Sequence, residues 1–211
     1  AFFNFPKILL LTMQGGYLAG NQVGLEMAPA ETFDGFYEQY KMQVEHFINE
    51  YAETANLACQ FFNEKYKRPL VSSVISGCID KAQLADEGGA YFWHKCMNSS
   101  GLGTAIDSLV AIYDVVYDKK LKTMDEFVKI LDNDFYGEEA FRLYLVNKLP
   151  KYGNGDPMVD GLAKDFVDFY CAAVSKCKTW NGTPYRPGLY SYYGPSVNYG
   201  IKTGSTPDGR I

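Results

Sequence analysis

Leu149-Pro-Lys-Tyr-Gly-Asn-Gly-Asp-Pro-Met-Val-Asp160 is the stretch on which the reading of the fold turns. Pro150 stops whatever helix precedes it, and Tyr152 to Asp156 is a loop punctuated by glycines. Asp156 then stands as an N-cap with Pro157 at the first helical position, where a missing N–H costs nothing. Apolar residues recur after it at Met158, Val159, Leu162, Phe166, Phe169, Tyr170, Ala173, Val174 and Cys177. That three-and-four spacing predicts one amphipathic helix of about five to six turns.

Downstream, Asn181-Gly182 ends the helical part, and the remaining segment reads as aromatic and extended, with Leu189 to Tyr193 as its best strand. It runs into Gly204-Ser-Thr-Pro-Asp-Gly209, in which proline presets φ, aspartate bonds its own backbone and glycine accepts a positive φ. Arg210 stands just past this turn, and a guanidinium fork held beside a rigid turn suits a carboxylate or another anion.

Upstream, residues 2–13 read as a buried helix starting near Pro6 and ended by Gly15-Gly16. A loop marked by Gly20, Gly24 and Pro29 leads to a long amphipathic helix over 33–64. Its apolar face carries Tyr37, Tyr40, Val44, Phe47 and Tyr51, and its polar face Glu38, Lys41, Glu45, Asn49 and Glu53. Leu70 to Ile75 is short and β-branched, a strand or a short helix. Gly88-Gly89 predicts a close backbone approach. Helices follow over 104–117, from the capping box Thr123-Met-Asp-Glu126 to about Leu131, and over 138–146. No repeat or low-complexity linker divides the 211 residues, which predicts one mostly helical unit with a few strands and no internal boundary.

Composition narrows the function classes. Hydrophobic residues make up 47% and charged residues 21%, the balance of a chain with a packed core. A net charge of −5, with the twenty basic residues scattered, argues against nucleic acid as a partner. No apolar run approaches the ~18 to 20 residues of a membrane span, and Ile8 to Leu11 lacks the basic flank of a signal peptide. Five cysteines without paired spacing fit reduced thiols in a cytoplasm, and with two histidines a zinc site is not expected. Asn98-Ser-Ser100 and Asn181-Gly-Thr183 match the glycosylation pattern by chance in a chain without an export signal. The chain starts at Ala1 and stops one residue past a turn, and is expected to be a piece of a longer polypeptide.

Three constellations besides Arg210 could carry chemistry. Cys78 in Gly77-Cys-Ile-Asp80 is a candidate reactive thiol, against a plain buried thiol that packs as a small hydrophobe. Trp93 and His94 follow the paired glycines and could face a cavity, whereas His46 suits a surface partner at Glu50. Tyr185, Tyr190, Tyr192, Tyr193 and Tyr199 could form a ring-stacking platform, which would make the chain a free-standing module for a sugar or aromatic ligand.

The order of motifs resembles the pyruvate formate-lyase-like domain of glycyl radical enzymes. The resemblance rests on Gly20-Asn-Gln-Val-Gly24, Glu87-Gly-Gly-Ala-Tyr91, Ala105 to Ile112, the Leu149–Asp160 stretch, Tyr185-Arg-Pro-Gly-Leu-Tyr190 and Thr203-Gly-Ser-Thr-Pro-Asp-Gly-Arg210. It implies an α/β fold, the predominantly helical part of a ten-stranded α/β barrel. A backbone glycyl radical there oxidises a cysteine, whose thiyl radical takes a hydrogen from a small organic substrate in a lyase or dehydratase reaction. It also implies no bound cofactor or metal, an S-adenosylmethionine-dependent iron–sulfur activating enzyme as partner, and a homodimer of the full protein. Arg210 matches the family's substrate-contacting arginine. The radical loop Arg-Val-x-Gly-Tyr is absent from this sequence, and Cys78 falls in an interval where the family has no catalytic cysteine. The resemblance therefore implies a part that is inactive alone and needs the rest of its parent polypeptide.

Overall fold

The structure, a computed structural model, describes residues 2–190 and 193–211. In chain order its elements are β1 (Phe2–Asn4), α1 (Phe5–Met13), β2 (Tyr17–Leu18), β3 (Asn21–Gln22), α2 (Phe33–Lys65), α3 (Pro69–Ser73), β4 (Cys96–Ser100) and α4 (Leu102–Ile112). A π-helical segment, Tyr113–Asp118, extends α4; then come α5 (Met124–Asp132), α6 (Glu139–Asn147), α7 (Pro157–Lys176), β5 (Arg186–Leu189) and α8 (Tyr193–Thr203). The content is mixed helix and sheet. Strands are ordered β1-β4-β5, with β1 parallel to β4 (Phe2 opposite Asn98, Asn4 opposite Ser100), and β2-β3 is a separate hairpin.

Where the local signals are strongest, elements form as the sequence predicts. Asp156 Oδ1 accepts from the Met158 and Val159 N–H groups at 3.0 and 3.1 Å and starts α7 at Pro157. Thr123 and Glu126 form the reciprocal capping box that starts α5. Of Leu70 to Ile75, the residues through Ser73 fall in the short helix α3, and Val74 caps its end. Asn4 caps α1, accepting from the Lys7 N–H at 3.3 Å. Residues Phe2–Asn4 precede it as a strand, and Asn98 of the first glycosylation-like triplet lies in β4.

The expectation that helix ends at Asn181-Gly182 is overturned. Strand β5 lies at Arg186–Leu189, earlier than Leu189 to Tyr193, and Tyr193–Thr203 is helix. Ser191 and Tyr192 lie outside the described residues. Gly194, Pro195 and Gly200 lower the intrinsic preference of this segment for helix. Its C-terminal end is instead held by distant groups: Asn4 Nδ2 donates to Thr203 Oγ1 at 2.8 Å and Lys7 Nζ to the Thr203 carbonyl at 3.3 Å.

Contacts group the chain into two compact units, residues 1–46, 98–170 and 189–211 in the first, and 47–97 and 171–188 in the second. The first is built on α1, whose residues are buried on nearly every face and which packs against α4. Beside it, Phe166 meets Phe5 edge-on at 4.9 Å and stacks on Tyr40 at 5.2 Å, while Tyr170 meets Phe5 at 5.1 Å. Tyr40 is fully buried; its hydroxyl donates to the Phe5 carbonyl at 3.2 Å, and burial pushes its phenol well above the usual range. Buried Gln43 pins the loop after β3, donating to the Leu25 carbonyl at 2.6 Å and accepting from the Leu25 N–H at 3.0 Å.

The second unit holds the C-terminal part of α2 beside a turn-rich segment. Tyr185 donates to Asn56 Oδ1 at 2.9 Å, and Asn56 Nδ2 donates to the Lys178 carbonyl at 2.9 Å. A Cβ on Gly89 would lie 2.2 Å from the Gln83 carbonyl, the close approach that the paired glycines predict. This unit leaves Phe92 94% and Leu70 85% exposed, with Val74, Ile79 and Phe61 exposed as well.

Phe166→Ala is expected to cost about 3–5 kcal/mol, since it opens a cavity between two aromatic neighbours, against about 1 kcal/mol for loss of the exposed cap in Thr123→Ala. Urea unfolding midpoints check the ranking; equal losses would show that the aromatic cluster is not the central contact.

Candidate functional site

The loop from Thr203 to Arg210 is folded on itself and packed, all within the first unit. Gly209 N–H donates to the Thr206 carbonyl at 3.0 Å, closing the turn, and the Thr206 N–H donates to the Arg210 carbonyl at 3.0 Å. The Thr206 hydroxyl donates to the Asp208 carboxylate. The aspartate therefore meets a threonine hydroxyl, in place of the local backbone bond that the sequence suggests. Ser205, Thr206 and Gly209 are buried. A Cβ on Gly209, at φ +93°, would fall 2.6 Å from Val146 Cγ2, so only glycine lets the turn sit this close to α6.

Three cations and one acid hold the loop from outside. Arg142 Nη1 donates to the Gly209 carbonyl at 3.3 Å while Nε and Nη2 grip Glu139 at 2.8 and 2.7 Å. Lys151 Nζ donates to the Asp208 carbonyl at 3.3 Å, Lys7 reaches the Thr203 carbonyl, and Ser205 Oγ donates to Asp134 Oδ1 at 2.6 Å. Asp107 steadies the segment that carries Lys151, accepting from the Tyr152 N–H at 2.7 Å. Burial pushes the Asp107 carboxyl above its ordinary 3.8, with the charge of Asp208 adding to the rise and the Tyr152 N–H and Lys151 opposing it. Single-sequence reasoning names none of Asp107, Asp134, Arg142 and Lys151, because each acts through a loop far away in the chain.

Arg210 is half-buried, and its Nη2 donates to the Gly204 carbonyl at 2.8 Å. Among the described residues it pairs with no carboxylate, although a guanidinium carries five N–H donors. Beside the start of this loop lies a cleft of about 630 Å³ lined by Lys7, Gln14, Asp132, Asp134, Thr203 and Ser205, among others. That lining can hydrogen-bond a small polar molecule.

The other candidates separate. Cys78 is buried at 4% exposure, as a packing thiol is. His94 is exposed, while Trp93 lines a different cleft, in the second unit. His46 is half-buried on α2. Tyr185 is buried, its phenol pushed up to about 12 chiefly by that burial, so it offers no face to a ligand. Tyr190 is exposed, Tyr199 is half-buried on α8, and Tyr192 lies outside the described residues. A shared stacking platform therefore loses a central member. Among the described residues no group of three or more His, Cys, Asp or Glu side chains could hold a metal ion, and no helix is long and apolar enough to cross a membrane.

Residues 1–199 match the family model described as pyruvate formate lyase-like. Trans-4-hydroxy-L-proline dehydratase of Clostridioides difficile is 32% identical over 100% of this chain and 27% of its own length. The glycerol-bound B12-independent glycerol dehydratase of Clostridium butyricum superposes with a TM-score of 0.90 at 34% identity, over 99% of this chain and 27% of that one. A structure concerned with 1,2-propanediol dehydration in Roseburia inulinivorans superposes at 0.92 with 29% identity, over 100% of this chain and 28% of that one. The chain thus spans a little over a quarter of the length of the relatives it matches.

Gly209→Ala should destabilise the protein by about 1–3 kcal/mol through a strained φ and the clash with Val146, and circular dichroism melts would register it. Asp107→Asn keeps the acceptor for Tyr152 but cannot ionise. Because the folded pKa of Asp107 lies above 3.8, wild type loses stability as pH rises from that value through the raised pKa. The variant should therefore gain on wild type over that window. Parallel urea curves below pH 3.8 and near neutrality test this, and a difference independent of pH would refute it.

Proposed function

Because this chain belongs to the pyruvate formate lyase-like family of glycyl radical enzymes, we propose that it forms part of a dehydratase or lyase acting on a small hydroxylated substrate. In this reading the 211 residues are part of one pyruvate formate-lyase-like domain and contribute to the wall of its ten-stranded α/β barrel. They supply the pocket loop that carries Arg210. The radical glycine and the thiyl cysteine belong to other segments, and an S-adenosylmethionine-dependent iron–sulfur activating enzyme installs the radical. The full protein is a homodimer working in the cytoplasm. The exposed Phe92, Leu70 and Val74 are consistent with further polypeptide covering the second unit.

The observation that carries the proposal is the pinned loop with its half-free fork. Arg142, Lys151 and Lys7 all spend hydrogen bonds on loop carbonyls, so Arg210 is oriented before any ligand arrives. A preoriented guanidinium holds a polar or anionic head group of the substrate while the thiyl radical takes a hydrogen from carbon. The dehydration chemistry named for the glycerol, 1,2-propanediol and trans-4-hydroxy-L-proline relatives favours dehydratase over the other lyase reactions.

The test uses the intact protein that bears this chain, activated anaerobically and offered glycerol, 1,2-propanediol and trans-4-hydroxy-L-proline. A glycyl radical signal in electron paramagnetic resonance, with loss of one of these substrates, is expected; absence of the radical under conditions that activate a related enzyme would sink the reading. Arg210→Lys keeps the charge but loses the fork. It should raise KM by roughly tenfold or more, the size of one charge-assisted hydrogen bond, and leave the radical signal unchanged.

A further inference from the structure

A cleft of about 400 Å³ in the second unit is walled by Phe62, Tyr66, Arg68 and Trp93, and holds Cys59 beside Lys95. Lys95 Nζ lies 2.7 Å from Cys59 Sγ. The neighbouring Arg68 is taken up by Asp86, to which its Nε donates at 3.0 Å, and Lys67 pairs with Glu87 at 3.1 Å. Among the described residues no carboxylate pairs with Lys95, and no other cysteine lines this cleft. A half-buried thiol and a primary amine therefore face each other in one solvent-reachable cleft.

We propose that Cys59 and Lys95 form an oxidative modification site, in which hydrogen peroxide drives a reversible covalent link between Sγ and Nζ. This does not depend on the proposed enzymatic role. Sγ attacks one peroxide oxygen, the O–O bond breaks, water leaves and a sulfenic acid remains; sulfur is oxidised by two electrons and peroxide reduced by two. Sulfenic acids condense with nearby nitrogen nucleophiles. The Lys95 amine, having released its extra proton to solvent in the cleft, attacks Sγ. The S–N bond forms as the S–O bond breaks, and a second water leaves without further change in oxidation state. The protein has then lost two hydrogens. An external thiol reverses the link by attacking the sulfur and releasing the amine.

The same geometry separates this thiol from Cys78, which is buried, and from Cys96, which is exposed on β4. Neither of these lines the cleft that holds Lys95.

The intact protein bearing this chain would be reduced, exposed to hydrogen peroxide and digested with trypsin for mass spectrometry. The expected result is a peptide pair joined through Cys59 and Lys95, two hydrogens lighter than the sum, uncleaved after Lys95 and restored by dithiothreitol. Lys95→Arg keeps the positive charge but lacks the primary amine, and should carry Cys59 onward to sulfinic acid. Wild-type protein in which Cys59 reaches sulfinic acid or a disulfide while trypsin still cuts after Lys95 would overturn the proposal. An unoxidised Cys59 under peroxide that oxidises Cys96 would overturn it as well.

Discussion

Phe166 lies against Phe5 on one side and Tyr40 on the other, and the first unit is assembled around those contacts. One ring ties α7 to α1 and to α2, elements far apart in the chain, and the Tyr40 hydroxyl finds its partner on the Phe5 carbonyl at the start of α1. An aromatic pair adds roughly 0.5–1.5 kcal/mol beyond its buried area, so the cluster stabilises by geometry as well as by desolvation. It also fixes where α1 begins. Asn4 and Lys7, which reach the end of α8, occupy the same turn of chain as Phe5.

From that anchor the candidate site follows. The Thr203–Arg210 loop is held at its start by the first turn of α1 and at its far end by α6, through the fit of Gly209 against Val146. Each of the cations around it gives a hydrogen bond to a backbone carbonyl, Arg142 while its other nitrogens grip Glu139, and together they hold the turn in place. Rigidity here is local. It comes from a glycine without a Cβ, a buried threonine and serine, donors from Arg142, Lys151 and Lys7, and Asp134 as acceptor for Ser205.

Much of the helical framework was legible because its signals are local. Asp156 with Pro157, Thr123 with Glu126 and Pro6 in the first turn of α1 each act within four residues, where sequence and structure hardly differ. Strands β1 and β4 leave no local signal because each is short and gains its stability from the other, with no periodic pattern of its own. Helix α8 reads as extended in the sequence for the opposite reason: Gly194, Pro195 and Gly200 lower its propensity, and distant partners at Thr203 offset the loss. Arg210 could be picked out from its turn, but the residues that set the loop could not. Asp107, Lys151 and Arg142 are ordinary charges in the sequence and become specific only when their loops meet.

The caps, the long helices, the turn before Arg210 and, through the order of the motifs, the family are written in the chain itself, since each depends on residues close together or on their order. The burial of Cys78 and Tyr185, the helix at Tyr193–Thr203 and the placement of Lys95 against Cys59 arise only when distant segments pack. Those outcomes depend on which surfaces lose water together, and desolvation is a property of assembled neighbours that no local pattern encodes.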